Sequence, residues 1–151
     1  MIIRDATAAD VPQMSAFLTR LKDMGKRTSG SDEPFVLDYY INSTQQIRCS
    51  LADDDGTVLG FQSLKLATDG NEWGVTPGWG IIGTHVNPDA ARRGVGRALF
   101  PSTVEAAKSA GLQKIDASIG ANNAEGQGYY EAMGFRTYRK PDGLICKVFD
   151  V

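Results

Sequence analysis

The spacing of apolar side chains divides the first half of the chain into two helices and a strand hairpin. Across residues 8–24 the apolar positions recur every three or four residues, which predicts an amphipathic helix packed on a sheet. A shorter helix is predicted over residues 35–41. From Gln46 apolar and polar positions alternate, and an acidic turn ends at Gly56. This pattern predicts an antiparallel hairpin whose second strand covers residues 58–67.

The second half alternates strands with helices, and a short strand is also predicted at Ile2 and Ile3. The predicted elements are strand 79–86, helix 94–111 with Pro101 in its interior, strand 112–119, helix 124–133, and strands 135–138 and 144–149. A strand–helix–strand step favours parallel pairing, whereas hairpins pair antiparallel. We therefore predict one α/β (α+β) domain over residues 1–151. Its sheet is mixed and mostly antiparallel, with about six to seven strands flanked by about four helices.

Composition and charge narrow the classes of function. The chain has 151 residues, with 16 Lys and Arg against 18 Asp and Glu, so its net charge is −2. That balance gives no global field for a polyanion, and no nucleic-acid partner is expected. The N-terminus lacks a signal-peptide pattern and no apolar run approaches the ~18 residues of a membrane span. We therefore expect a cytoplasmic protein that does not act at a membrane.

The two cysteines and the single histidine give little support for a metal site. Cys49 and Cys146 lie far apart in sequence, and neither belongs to a C-x-x-C motif. Buried reduced thiols are therefore expected, with no metal.

Glycine is over-represented, with 17 residues in the chain, and a cluster of glycines leads into a predicted phosphate-binding turn. Residues 86–97 run from a strand through a loop with Arg92 and Arg93 into a helix. Unpaired amides at a helix start converge on an anion, and arginines add charge-assisted contacts. A P-loop would need a G-x-x-x-x-G-K-[ST] sequence, which is absent. The dinucleotide fingerprint would need glycine or alanine at Leu99.

The same stretch resembles the acetyl-CoA pyrophosphate loop of the GCN5-related N-acetyltransferase (GNAT) superfamily, written V-x-P and then Gln/Arg-x-x-Gly-x-Gly/Ala. A second segment, from Asn123 through Tyr130 to Phe135, is similar to that superfamily's N-x-x-A-x-x-x-Y-E-x-x-G-F motif. The two motifs stand in the expected order, so the resemblance covers essentially the whole chain. Two positions depart from it, because Ala91 replaces the first Gln or Arg and Gly126 replaces the small residue after Asn123.

The resemblance implies an acetyl-CoA-dependent N-acetyltransferase. It would transfer an acetyl or short acyl group to a primary amine of a small molecule, amino acid or peptide, by direct attack in a ternary complex. The implied cofactor contacts are the backbone of Thr84, His85 and Val86 along the pantetheine arm, the amides of Arg92, Arg93, Gly94, Val95, Gly96 and Arg97 at the pyrophosphate, and Asn123 near the thioester. Tyr130 is implied as the general acid that returns a proton to the departing thiolate.

The general base is less well defined by the sequence. A glutamate that some members carry for this task corresponds to Ser118. The ammonium form of an amine must still lose a proton before attack. Asp116 precedes Ser118 by two residues and so shares its strand face. Asp116 is therefore one candidate, and His85 and Glu72 are others, although His85 fits simple packing as well.

The acceptor and the assembly also stay open at this point. Four aromatic residues either wall an acceptor pocket or belong to the core or its rim: Tyr39, Tyr40, Trp73 and Trp79. The alternative function is a non-catalytic acyl-CoA sensor or partner-binding module, although retention of Tyr130 favours the enzyme. A homodimer is a habit of the superfamily that no residue of this chain tests.

Overall fold

Seven strands form one sheet in a computed structural model that describes residues 1–151. The strands are β1 (Ile2–Asp5), β2 (Gln46–Asp54), β3 (Thr57–Leu66), β4 (Gly80–Val86), β5 (Lys114–Gly120), β6 (Arg136–Arg139) and β7 (Leu144–Asp150). Their spatial order is β1-β2-β3-β4-β5-β7-β6, and only β4 and β5 run parallel. The predicted mixed, mostly antiparallel sheet is confirmed.

Four α-helices connect and cover the strands. They are α1 (Val11–Asp23), α2 (Glu33–Val36), α3 (Val95–Ser109) and α4 (Ala124–Ala132). The first predicted helix is shorter than expected, because Ala8–Asp10 form a 3-10 turn and Pro12 stands in the first turn of α1. The predicted helix over residues 35–41 is also different, since α2 ends at Val36 and a π-helical turn, Leu37–Ile41, follows it. Helix α3 continues past Pro101. None of the helices combines the length and the apolar character that crossing a membrane requires.

The core lies in two layers, one on each face of the sheet. On the face of α1 and α2, Met14 and Leu18 pack with Leu51 and Phe61, and all four are essentially fully buried. On the other face, α3 and α4 cover apolar residues of β3, β4 and β5. Each fully buried side chain of this size contributes about 1.5–3 kcal/mol to stability. Both cysteines are free and buried, as expected.

The two parallel strands separate soon after they meet. Strand β4 pairs with β5 only through Gly80 with Ile115 and Ile81 with Asp116. On their other edges β4 pairs with β3 and β5 with β7 along their whole lengths. The sheet is therefore continuous at one end of β4 and open at the other. We call this opening the wedge, and the β4 backbone beyond Ile81 faces it without a strand partner.

Candidate active site

A cleft of about 920 Å³ occupies the wedge and continues over the start of α3. We call it the main cleft. It brings together nearly all of the predicted cofactor residues, although they come from three separate parts of the chain. Those that line it are Thr84, His85, Val86, Arg92, Gly94, Val95, Gly96, Arg97, Asn123 and Tyr130. Ser118 of β5 lines the same cleft.

The loop between β4 and α3 presents backbone amides to the main cleft. Arg92 and Gly94 both have positive φ angles, 65° and 73°, which turn the chain sharply before the helix. Val95, Gly96 and Arg97 open α3, so their amides have no carbonyl partner within the helix. The start of a 15-residue helix also carries a partial positive charge. With the exposed guanidinium groups of Arg92 and Arg97, these amides fit the two phosphates of a pyrophosphate.

Arg93 differs from its neighbours and from the sequence-based expectation. Its guanidinium pairs with Asp54 at 3.0 Å, and its amide donates to the carbonyl of Ala90 at 3.3 Å. A second ion pair joins Arg20 of α1 to Asp89 at 3.0 Å. Arg93 therefore ties the loop to the β2–β3 hairpin instead of facing the cleft, and Arg20 ties the other side of the loop to α1.

Packing by Tyr129 requires glycine at position 96, which the sequence alone did not reveal. The Tyr129 hydroxyl donates to the Gly96 carbonyl at 2.8 Å and accepts from Gln62 Nε2 at 3.0 Å. A Cβ atom at position 96 would lie 2.6 Å from Cε1 of the Tyr129 ring. The absence of a side chain therefore lets Tyr129 press against the first turn of α3 and fix its position beside the cleft.

Tyr130 lies beside Tyr129, with ring centroids 4.9 Å apart, and its hydroxyl joins the same polar network at the wedge. Its hydroxyl lies 2.9 Å from Thr84 Oγ1, and Gln62 Nε2 donates to the same Thr84 oxygen at 2.9 Å. Thr103 of α3 in turn donates to Gln62 Oε1. Burial raises the pKa of Tyr130, so the phenol keeps its proton across the neutral range. This network links α3, β3, β4 and α4 and fixes the direction of the phenol.

Asn123 is the N-cap residue that immediately precedes α4, and its position explains one of the departures from the family motif. Its Oδ1 accepts a hydrogen bond from the Gly126 amide at 2.9 Å, so it caps the helix. A Cβ atom at Gly126 would lie 2.6 Å from Asn123 Nδ2. The glycine therefore leaves space for the capping side chain at the edge of the main cleft.

Asp116 is the last β5 residue paired to β4, and it lies at the centre of a polar cluster where the two strands separate. Its side chain is fully buried. Ser118 Oγ donates to Asp116 Oδ1 at 2.7 Å, and the Tyr138 hydroxyl donates to Oδ2. Arg139 Nη2 approaches the same Oδ2 at 3.8 Å. Burial raises the pKa of Asp116, and the two hydroxyl donors and the guanidinium partly oppose that rise.

The two other proposed bases have different surroundings. His85 packs against Phe61, with ring centroids 4.8 Å apart, and its Nε2 lies 3.3 Å from the Tyr40 hydroxyl. Burial lowers the pKa of His85 to about 3, so the imidazole is neutral and weakly basic. Glu72 lies outside the main cleft and accepts a hydrogen bond from the Tyr39 hydroxyl at 2.9 Å.

A second cavity, of about 450 Å³, borders the point where β4 and β5 separate. Ile81, the last β4 residue paired to β5, forms part of its wall. The remaining lining residues that bear on recognition are Phe35, Asp38, Tyr39, Lys65, Glu72 and Trp73. We call this the second cavity. Of the four aromatic residues in question, Tyr39 and Trp73 line it. Tyr40 is buried in the core and Trp79 packs on Tyr138.

Lys65 places a cation inside the second cavity. Its Nζ lies 3.1 Å from the centroid of the Tyr39 ring. Partial burial lowers the pKa of Lys65 to about 8, while the nearby carboxylate of Glu72 acts in the opposite direction. The cavity thus combines an aromatic wall with two carboxylates and one lysine.

Comparison with known proteins agrees with this geometry. The model of the acetyltransferase (GNAT) family matches residues 16–135. No curated protein matched the sequence. Among solved structures, the ribosomal-protein-alanine N-acetyltransferase from Brucella melitensis superposes with a TM-score of 0.83 at 19% identity, covering 100% of both chains.

Two further structures contain the cofactor. The yncA protein of Salmonella typhimurium, solved with acetyl-CoA, has a TM-score of 0.78 at 19% identity and covers 99% of this chain and 92% of its own. The PaiA N-acetyltransferase of Thermoplasma acidophilum, in complex with coenzyme A, has a TM-score of 0.74 at 14% identity, with 99% and 98% covered. These similarities show the fold, and the family match covers most of the sequence. The chain belongs to the acetyltransferase (GNAT) family.

Proposed function

We propose that this protein transfers an acetyl, or another short acyl, group from acetyl-CoA to the primary amine of a small molecule, an amino acid or a peptide. The observation that carries the proposal is the buried Tyr130 hydroxyl, held 2.9 Å from Thr84 Oγ1 where β4 and β5 separate. A protonated phenol at that point suits a reaction in which a thiolate leaves.

The main cleft offers the groups that acetyl-CoA requires. The amides of Gly94, Val95, Gly96 and Arg97 would hold the pyrophosphate, with the side chains of Arg92 and Arg97 adding charge-assisted contacts. The edge of β4 that faces the wedge at Thr84, His85 and Val86 would pair with the amide groups of the pantetheine arm, and Asn123 would lie beside it. Arg93 is left out of this set, because its side chain and amide are already used within the protein.

The proposed reaction needs no enzyme nucleophile. The neutral amine attacks the thioester carbonyl, the carbon–nitrogen bond forms and the carbon–sulfur bond breaks. Tyr130 donates a hydrogen bond and then its proton to the sulfur, which would otherwise leave as a thiolate with a pKa near 8.5. Direct attack agrees with the state of Cys49, whose pKa burial raises to about 12, so that it is not an activated thiolate. Binding both substrates in one cleft supplies the orientation.

Of the three candidate bases, we propose Asp116. Its carboxylate is buried at the wedge, and its raised pKa makes it a stronger base than a surface aspartate. The lowered pKa of His85 makes that imidazole a poor proton acceptor, so we assign it to packing and to the β4 edge. Glu72, at the second cavity, would recognise the acceptor rather than deprotonate it.

The test is release of free thiol from acetyl-CoA in the presence of a panel of primary amines. The panel includes free amino acids, diamines and a peptide with an N-terminal alanine, because a structural neighbour is named a ribosomal-protein-alanine N-acetyltransferase. Tyr130→Phe removes only the hydroxyl and leaves the ring packed against Phe135 at 5.1 Å. We expect its kcat to fall by about 100-fold, the usual scale of a lost general acid, with little change in coenzyme A affinity by calorimetry.

The alternative is a sensor that binds acyl-CoA without turnover. It predicts tight binding of acetyl-CoA and no thiol release with any amine, identical for the wild type and Tyr130→Phe. That result would reject the enzyme and leave the binding module.

A further inference from the structure

Asp116 is fully buried, so the amine cannot reach its carboxylate directly. Building on the proposed acetyl transfer, we propose that Ser118 relays the proton. Ser118 Oγ accepts the proton of the attacking amine and passes its own proton to Asp116 Oδ1, while Tyr138 positions the carboxylate. Ser118 would be the catalytic residue that touches substrate, and Asp116 and Tyr138 would act through it.

Ser118 is placed between the cleft and the carboxylate. It lines the main cleft, and its hydroxyl donates to Asp116 Oδ1 at 2.7 Å. Residues two apart on a strand share a face, so both side chains point to the same side of β5. Its second neighbour is Cys146 Sγ at 3.5 Å, a weak partner that leaves the serine oxygen available to accept from a substrate.

The last hairpin holds the carboxylate in place. The register of β6 against β7 shifts between Thr137, opposite Lys147, and Arg139, opposite Cys146. The extra residue in this irregularity is Tyr138, whose hydroxyl donates to Asp116 Oδ2. Such bulges redirect a side chain. Arg139 Nε donates to the Tyr138 oxygen at 3.0 Å, and Arg139 Nη2 donates to the Trp73 carbonyl at 2.7 Å. Tyr138 is therefore fixed on both sides.

Protons are conserved over each turnover. One proton leaves the amine nitrogen for Ser118 Oγ, and the serine proton moves to Asp116, so the serine ends neutral. The carbon–nitrogen bond forms, the carbon–sulfur bond breaks, and Tyr130 protonates the sulfur. The products are the amide and coenzyme A thiol. Asp116 finishes protonated and Tyr130 ionised, and exchange of one proton with solvent resets both groups.

The relay also predicts a pH dependence. The titratable and charged groups around Asp116 are Tyr138 and Arg139 from β6, Cys146 from β7, and Tyr130 from α4. Burial raises the pKa of Asp116 above its ordinary value. Because the carboxylate must be ionised to accept a proton, kcat/KM should rise with pH through that raised pKa. Asp116→Asn should remove this acid limb.

Three variants test the relay, with the amine that gives the fastest thiol release as the probe. Ser118→Ala and Asp116→Asn should each lower kcat by about 100-fold, and the double variant should lose little more because the two residues act as one unit. Ser118→Thr keeps the hydroxyl and should stay within about threefold of the wild type. Ser50→Ala is the control, since Ser50 is likewise a strand serine that bonds another side chain, the hydroxyl of Ser102 at 2.8 Å, but is buried away from the main cleft.

The stability of Asp116→Asn separates chemistry from structure. The pKa of Asp116 is higher in the folded than in the unfolded protein, so its protonated form stabilises the fold. This contribution is fully present below the unfolded-state pKa. It disappears as the pH rises through the folded-state pKa. Above the folded pKa the ionised, buried carboxylate therefore opposes folding, and in that pH range Asp116→Asn should unfold at a temperature no lower than the wild type. A kcat loss in a variant of undiminished stability supports the relay.

Other outcomes would overturn it. Full activity of Ser118→Ala with an unchanged pH profile rejects the relay while the proposed transferase stands. Multiplicative losses in the double variant show that the two residues act independently and also reject it. If Ser118→Ala does not fold, Ser118→Thr decides, because a threonine with 100-fold lower kcat contradicts a role for the hydroxyl. Failure of the wild type to release thiol with any amine rejects the proposed function itself.

Discussion

The main cleft and the second cavity lie on two sides of the wedge, and they are formed by different parts of the protein. The main cleft relies on backbone, namely the free edge of β4 and the first amides of α3. The second cavity relies on side chains that come from α2 and the π-helical turn after it, from the end of β3 and from the loop before β4. A backbone site depends on conformation and tolerates many sequences. A side-chain site changes with every substitution, which suits the part of an enzyme that selects its acceptor.

The charges differ in the same way. Arg92 and Arg97 line the main cleft, whereas Asp38 and Glu72 line the second cavity. A polyanionic donor and a cationic amine would therefore be drawn to opposite sides of the wedge. Lys65 breaks this simple contrast, because its amine lies over the Tyr39 ring within the acidic cavity. Its pKa of about 8 means that the positive charge weakens above that pH.

The strongest test of the backbone side is Gly96→Ala. The new methyl would meet the Tyr129 ring at 2.6 Å, so either the ring or the start of α3 must move. Overpacking of this kind costs about 1–3 kcal/mol of folding free energy. We expect a lower melting temperature and at least roughly tenfold weaker coenzyme A binding by calorimetry, because the displaced turn holds the pyrophosphate amides.

Gly128→Ala is the matched control for this substitution. Gly128 is also a helical glycine, but a Cβ atom there would have no neighbour within 4 Å. Replacing it should stabilise α4 by about 0.5–1 kcal/mol and leave coenzyme A binding unchanged. Equal behaviour of the two alanine variants would show that Tyr129 does not determine the geometry of the α3 start.

A smaller effect should separate three neighbouring arginines. Arg97→Ala and Arg92→Ala should each weaken coenzyme A binding by roughly three- to tenfold, and the loss should shrink at high salt because both side chains are exposed. Arg93→Ala should change affinity by less than about twofold, since its guanidinium pairs with Asp54. Equal losses for all three would mean that Arg93 leaves Asp54 when the donor binds.

Local pattern and motif were enough to predict most of the backbone side. The element order, the mixed sheet and the loop that leads into α3 follow from apolar spacing and from glycines at a strand–helix junction. The role of Arg93 did not follow, because its partner Asp54 lies 39 positions away in sequence. Tyr129 packs on Gly96 from 33 positions away in sequence, and no local pattern indicates that contact.

The side chains around the proposed base were harder to predict than the backbone for the same reason. The shared face of Asp116 and Ser118 follows from strand periodicity, and the structure confirms their contact. Tyr138 could not be anticipated, since only an irregularity in the pairing of β6 and β7 turns it toward Asp116. His85 shows the opposite case, because the burial that lowers its pKa depends on packing by Phe61 and Tyr40.

The smallest expected effect tests whether the acidic cavity selects the acceptor. Glu72 lines it and accepts the Tyr39 hydroxyl at 2.9 Å. Glu72→Gln keeps the shape and an oxygen acceptor but removes the charge. We expect KM to rise roughly three- to fivefold for a diamine, with kcat and coenzyme A affinity unchanged, since an exposed charge contributes little. A mono-amine without a second charge should show no change. Glu33→Gln, an exposed carboxylate outside the cavity, is the matched control. Equal KM changes for both amines would mean that the charge of the cavity does not affect which acceptor binds. The main cleft and the second cavity would then differ only in whether backbone or side chains form them.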